Sequence, residues 1–302
     1  MNLQAIFKDA PFLHQLLMTI AVAACGALLS IFASAACAAL TAGSESAGLE
    51  SLNNLRMMQL FSELGTFLFP ALFLAYIFGE KGIAAFLQLR KPRMSPILLT
   101  ALTVLLAIPF LNLTVYLNEQ LALPNFLKPL ETWMKHCEET AQQLTDQLLQ
   151  ADTAGTLVFN LFLIGAVAAV SEEFMFRGVV QRVFEKISGN PHLVIWMVAF
   201  LFSAIHLQFY GFVPRMLLGA LTGYLLLWTK SLWIPVTAHF VNNATGVLAA
   251  YFFSDTPLGK QLELIGTGST LWMAGASLIL TLYLCKIFTH HPPPFNSSPP
   301  NY

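Results

Sequence analysis

Residues Thr156 to Val180 read TLVFNLFLIGAVAAVSEEFMFRGVV. About 20 apolar residues in a helix cross the hydrocarbon core of a bilayer, and this stretch is long enough to do so. Within the wider apolar run from Leu161 to Val183 stand two adjacent carboxylates, Glu172 and Glu173, with Arg177 four residues after the second. An ionised carboxylate at the centre of a membrane is disfavoured by about 2.5 to 3.5 kcal/mol on insertion scales. Two in succession therefore require an internal polar cavity, which a lone anchoring helix cannot provide. The stretch predicts a helix inside a larger membrane bundle, with a site built around its carboxylates.

The whole chain fits that setting. Hydrophobic residues make up 56% of its 302 residues and charged residues 10%, against about a quarter charged in soluble domains. The net charge of −1 gives no electrostatic basis for a nucleic-acid partner. Four cysteines, Cys25, Cys37, Cys137 and Cys285, show neither CxxC spacing nor a paired framework, so they predict buried thiols.

Eight apolar stretches are candidate spans: Leu16 to Leu40, Met58 to Phe78, Pro96 to Leu117, Thr156 to Val180, Leu193 to Phe209, Met216 to Trp228, Leu232 to Phe253 and Leu271 to Phe288. The fold class expected is all-α, a polytopic transmembrane helix bundle of about eight spans with its site enclosed in the C-terminal half. Lys8, Lys81, Arg90, Lys91, Arg93, Arg182, Lys186, Lys230 and Lys286 fall on one side of such a bundle, and Arg56, Lys128, Lys135, Arg215 and Lys260 on the other. The excess predicts an integral membrane protein with both termini cytoplasmic. Residues Glu131 to Gln150 have helical spacing at Leu144, Leu148 and Leu149, which predicts an amphipathic helix against the membrane or over the bundle. Residues Ile83 to Leu89 predict a second interfacial helix. Four regions follow: an N-terminal region over 1–153, a core over 154–253, a last span over 254–288, and a tail over 289–302 whose Pro, Ser and Asn content predicts disorder.

Positions four apart share a helix face, so Glu173 and Arg177 can pair while Glu172 points about 100° away. Two readings are open: both glutamates fix the bundle through ion pairs, or Glu173 pairs with Arg177 and leaves Glu172 free as a general base. His206 ends the sequence FSAIH. His239 and Asn243, in HFVNN, lie on one face and can offer two donors to a developing oxyanion.

EEFMFR, FSAIH and HFVNN occur in that order on three predicted spans. The constellation resembles the CPBP family of intramembrane proteases, which includes type II CAAX prenyl endopeptidases and bacteriocin-processing or immunity proteins of the Abi type. Its patterns EExxxR, FxxxH and HxxxN are all met, and FRG at Phe176 to Gly178 and SLWIPVTAHFVNN from Ser231 to Asn243 strengthen the likeness. It covers about a third of the chain, Thr156 to Tyr251.

The resemblance implies peptide-bond hydrolysis within the membrane. Glu172 and His206 would activate water, His239 and Asn243 would stabilise the oxyanion, and Glu173 and Arg177 would support the site. Glu172, His206 and His239 also form a donor set competent for a divalent metal such as zinc, although the HExxH spacing of a readable zinc site is missing. The partners implied are membrane lipid and a membrane-associated or prenylated peptide or protein, in a bacterial inner membrane. Two other classes fit intramembrane polar residues: a non-proteolytic immunity or regulatory protein on the same scaffold, and a transporter, for which no inverted repeat is visible. A shared site further requires His206, about 20 Å along a helix from Leu193, to come near Glu172 and His239.

Overall fold

Each of the eight apolar stretches is a helix in the computed structural model, which describes Gln4 and residues 7–41, 52–254 and 256–290. Almost all of the predicted disordered tail, and Glu45, Glu50 and Asp255, lie outside the described residues. The helices are α1 (Phe12–Thr41), α2 (Leu52–Phe78), a single turn α3 (Ile83–Phe86), α4 (Met94–Glu119), α5 (Lys128–Leu149), α6 (Ala154–Phe184), α7 (Pro191–Ala204), α8 (Phe212–Thr229), α9 (Trp233–Phe253), α10 (Pro257–Glu263) and α11 (Leu271–His290). There is no strand among the described residues. The chain is an integral membrane protein: among the described residues six helices, α1, α2, α4, α6, α8 and α11 with the turn before it, are long and apolar enough to cross a bilayer. The other two predicted spans depart from that pattern for physical reasons. Helix α9 carries His239, Asn242 and Asn243, and α7 has only 14 residues, ending at Ala204 rather than continuing to Phe209.

Local signals set the helix ends. Asn190 caps α7 by accepting from His192 N at 3.0 Å, and Pro191, which has no N–H to lose, follows in the first turn. Pro109 interrupts the hydrogen-bond ladder of α4. There Ser277 of α11 inserts its hydroxyl, donating to Leu106 O at 2.5 Å and accepting from Phe110 N at 3.2 Å. A neighbouring hydroxyl is how a broken membrane helix satisfies its backbone. Helices α1 and α2 approach closely at Gly26 and Gly65, where a methyl on Gly26 would collide with Gly65 O.

Three segments are wound as π-helix: Glu63–Leu68 in α2, and Leu161–Val167 and Phe174–Val180 in α6. The last two bracket the α-helical turn Ala168–Glu173 that carries both glutamates. Such widened turns recur where a helix is bent to aim side chains at a functional site. Around them Leu74, Ile77, Met175, Val179, Val198 and Phe202 form one buried apolar cluster that ties α2, α6 and α7 together. The amphipathic helix is present as α5. It docks through Trp133 on Phe209, ring centroids 5.3 Å apart, and through Glu138, whose Oε2 accepts from Tyr210 N at 3.0 Å.

Candidate active site

Glu172, Glu173 and Arg177 from α6, His206 from the turn after α7 and His239 from α9 come together, and half-buried Asn243 lies one turn along α9 from His239. The short α7 resolves the question of depth that its sequence raised. It ends at Ala204, and in the turn that follows, His206 Nε2 comes to 3.9 Å from Glu172 Oε2.

Glu173 is fully buried and is the hub of the supporting network. Its Oε1 accepts from His239 Nδ1 at 2.9 Å and lies 3.1 Å from Arg177 Nη1. Arg177, 1% exposed, donates from Nη2 to Gly219 O at 3.0 Å, and its guanidinium carbon sits 4.5 Å from the ring centroid of Phe202. A methyl at position 219 would lie 3.2 Å from that Nη2 and 3.3 Å from Phe202, so α8 approaches closely here and a side chain would make these neighbours give way slightly. Sequence spacing anticipates the Glu173–Arg177 pair but not that Glu173 also holds His239.

Both imidazoles are fixed through Nδ1. His206 Nδ1 faces the carbonyl of Phe202 at 2.7 Å, and a carbonyl can only accept, so that nitrogen carries hydrogen. His239 Nδ1 faces a carboxylate and does the same. Each ring therefore turns Nε2 inward. Glu172 Oε2 lies 3.9 Å from His206 Nε2 and 3.9 Å from His239 Nε2, and it is buried with no partner of its own. These separations are too long for direct hydrogen bonds, and one water can touch both ends of either. Phe202 forms one wall, edge-on to His206 at 5.0 Å and to His239 at 5.9 Å. Asn243 donates one amide hydrogen to Ile164 O at 2.9 Å, in the first π segment of α6, and accepts from Asn242 Nδ2 at 3.2 Å. An amide nitrogen has two hydrogens, so one remains to offer.

Two imidazoles and a carboxylate are donors of the catalytic-zinc type. Ligands about 2.0 to 2.1 Å from a tetrahedral ion stand roughly 3.4 Å apart, shorter than the 3.9 Å found here. Among the described residues, no set of three or more His, Cys, Asp or Glu side chains is placed to hold a metal. The side chains as arranged do not fit an ion.

One polar residue near the site has no counterpart in the sequence motifs. Glu63, at the start of the π segment of α2, is 4% exposed and interacts electrostatically with Glu172. Gln59 Nε2 donates to its Oε1 at 2.8 Å, while its Oε2 is buried without a partner.

Comparison with known proteins bears on this arrangement. Residues 154–245 match the model of a family described as Type II CAAX prenyl endopeptidase Rce1-like. The "Uncharacterized protein YpbD" of Bacillus subtilis (strain 168) is 28% identical over 89 residues, which cover 28% of this chain and 42% of that protein. No solved structure matches. The matched segment holds Glu172, Glu173, Arg177, His206, His239 and Asn243, so the residues of all three motifs lie within the part of the chain that is similar to that family.

Proposed function

We propose that this protein is an intramembrane endopeptidase in which Glu172 is the general base. The observation that carries the reading is the convergence of His206 Nε2 and His239 Nε2 on Glu172 Oε2, each 3.9 Å away, a separation that one water can bridge. In the proposed reaction a water held by Glu172 and His206 gives a proton to Glu172 as its oxygen bonds to the carbonyl carbon of the scissile peptide. The carbonyl oxygen, now negative, accepts from Asn243 through the free amide hydrogen and from His239 Nε2–H. For that second bond His239 carries both hydrogens, with Glu173 as counter-charge on Nδ1. The proton on Glu172 then passes to the leaving nitrogen as the C–N bond breaks, which leaves the protein as it began. The surrounding apolar wall strengthens each polar contact by keeping bulk water out.

The substrate class follows from the setting: a peptide or protein held at the membrane, prenylated peptides included. Both termini lie on the cytoplasmic side of a bacterial inner membrane in this reading, supported by the excess of Lys and Arg there. The test is cleavage of a pool of membrane-associated and prenylated peptides by purified wild type and Glu172→Ala, read by mass spectrometry. Products from the wild type that vanish with the variant support the proposal. No product from either protein, both folded, moves the function to binding or immunity on the same scaffold.

A further inference from the structure

We propose that Glu63 is a positioning residue for Glu172, holding a proton that the two carboxyls share. This deepens the protease reading and rests on it for its catalytic consequence. Glu63 is one of very few carboxyls in the spanning helices, and nothing in the reaction above uses it. Its burial is nearly complete and its backbone lies in a π turn, the same local device that brackets Glu172 and Glu173. Both Glu63 Oε2 and Glu172 Oε2 are buried without partners, and the turns that carry them pack on one another.

The surrounding charges argue against two ionised groups. Of the elements packed on the Glu63 turn, α6 brings Glu172, Glu173 and Arg177, and Arg177 is committed to Glu173 and Gly219. Within α2, Arg56 reaches away to Gln150 O at 2.6 Å, and Tyr76 sits more than three turns beyond Glu63. Helix α1 offers only His14, Cys25 and Cys37. Neighbouring carboxylates in a dry site avoid double ionisation by retaining a proton between them. The proton resides on Glu63, whose O–H then donates toward Glu172, directly or through one water. This fixes the rotamer of Glu172 while its other electron pairs stay available to the hydrolytic water.

Three variants test the idea, each checked for folding by its elution profile and thermal unfolding in detergent. Infrared spectra at neutral pH should contain the C=O stretch of a protonated carboxyl in the wild type, lost in Glu63→Gln. That readout needs no substrate, so it judges the proton even if the protease reading fails. In cleavage assays Glu63→Gln, which keeps a neutral donor, should retain kcat within about threefold. Glu63→Leu, which fills the space without a donor, should lose about tenfold or more in kcat with KM little changed. Glu63→Gln should also lack an ionisation that the wild type shows on the alkaline limb of its pH–rate profile, where the retained proton is lost. An absent wild-type carboxyl band, or Gln and Leu variants with identical rates and the wild-type pH profile, would overturn the assignment.

Discussion

At the scale of single residues, the account depends on one carboxylate being held so that its neighbour can react. Glu173 accepts from His239 and faces Arg177, both buried. Removing it leaves a guanidinium in the bundle without a counter-charge, a loss of about 3 to 5 kcal/mol for a broken buried pair. Glu173→Ala should therefore lower the thermal unfolding midpoint in detergent sharply, whereas Glu173→Gln, which still accepts from His239, should unfold nearer the wild type while losing kcat. Equal midpoints for Ala and wild type would contradict the network. Much of this was legible in the sequence, because Glu173 and Arg177, and His239 and Asn243, are each four apart and must share a helix face. The rest depends on tertiary placement. That Asn243 reaches Ile164 O, 79 positions away, has no local signature. Glu63 was equally hidden: it has no cation four residues on, and it stands beside the polar Gln59 and Ser62.

Among the elements, hydropathy located the eight principal helices because a membrane span must be long and continuously apolar. It did not reveal that α7 stops at Ala204, or that α2 and α6 contain π turns, since those features are fixed by packing and not by propensity. The amphipathic α5 was readable from its period, but its docking was not. Through Glu138 on Tyr210 N and Trp133 on Phe209, α5 grips the loop that begins at His206. Near its start the hydrogen bond from Lys135, 2.9 Å away, with Lys128 at 3.4 Å, holds the Glu131 carboxyl below its ordinary value near 4.5. A depressed carboxyl contributes stability above that ordinary value and loses it as pH falls through the lower folded value. Hydrogen exchange across Lys128–Leu149 should thus be unchanged from neutral pH down to about 5. Below the ordinary carboxyl range, protection corrected for intrinsic rates should fall modestly, as expected of ion pairs with solvent-facing lysines. Protection that rises on acidification would refute the role of this pair.

For the whole molecule, the claims are orientation and convergence. The proposed orientation, with both termini cytoplasmic, puts α5 on the opposite face of the membrane; its Cys137 is partly exposed, while Cys285 lies in the last span. A membrane-impermeant maleimide applied to intact cells should label the protein at Cys137, and Cys137→Ser should abolish the signal. Labelling only after the cells are opened would invert the topology. Convergence is the central claim: residues from α6, the turn after α7, and α9 form a hydrolytic site whose base is Glu172. The most direct measurement is kcat for Glu172→Gln on a peptide that the wild type cleaves, with peptide binding measured alongside. Loss of a general base predicts a fall of about 10² to 10⁴ in kcat with binding retained. A Gln variant that turns over within a few-fold of the wild type would show that Glu172 is not the base and that the site works in another way.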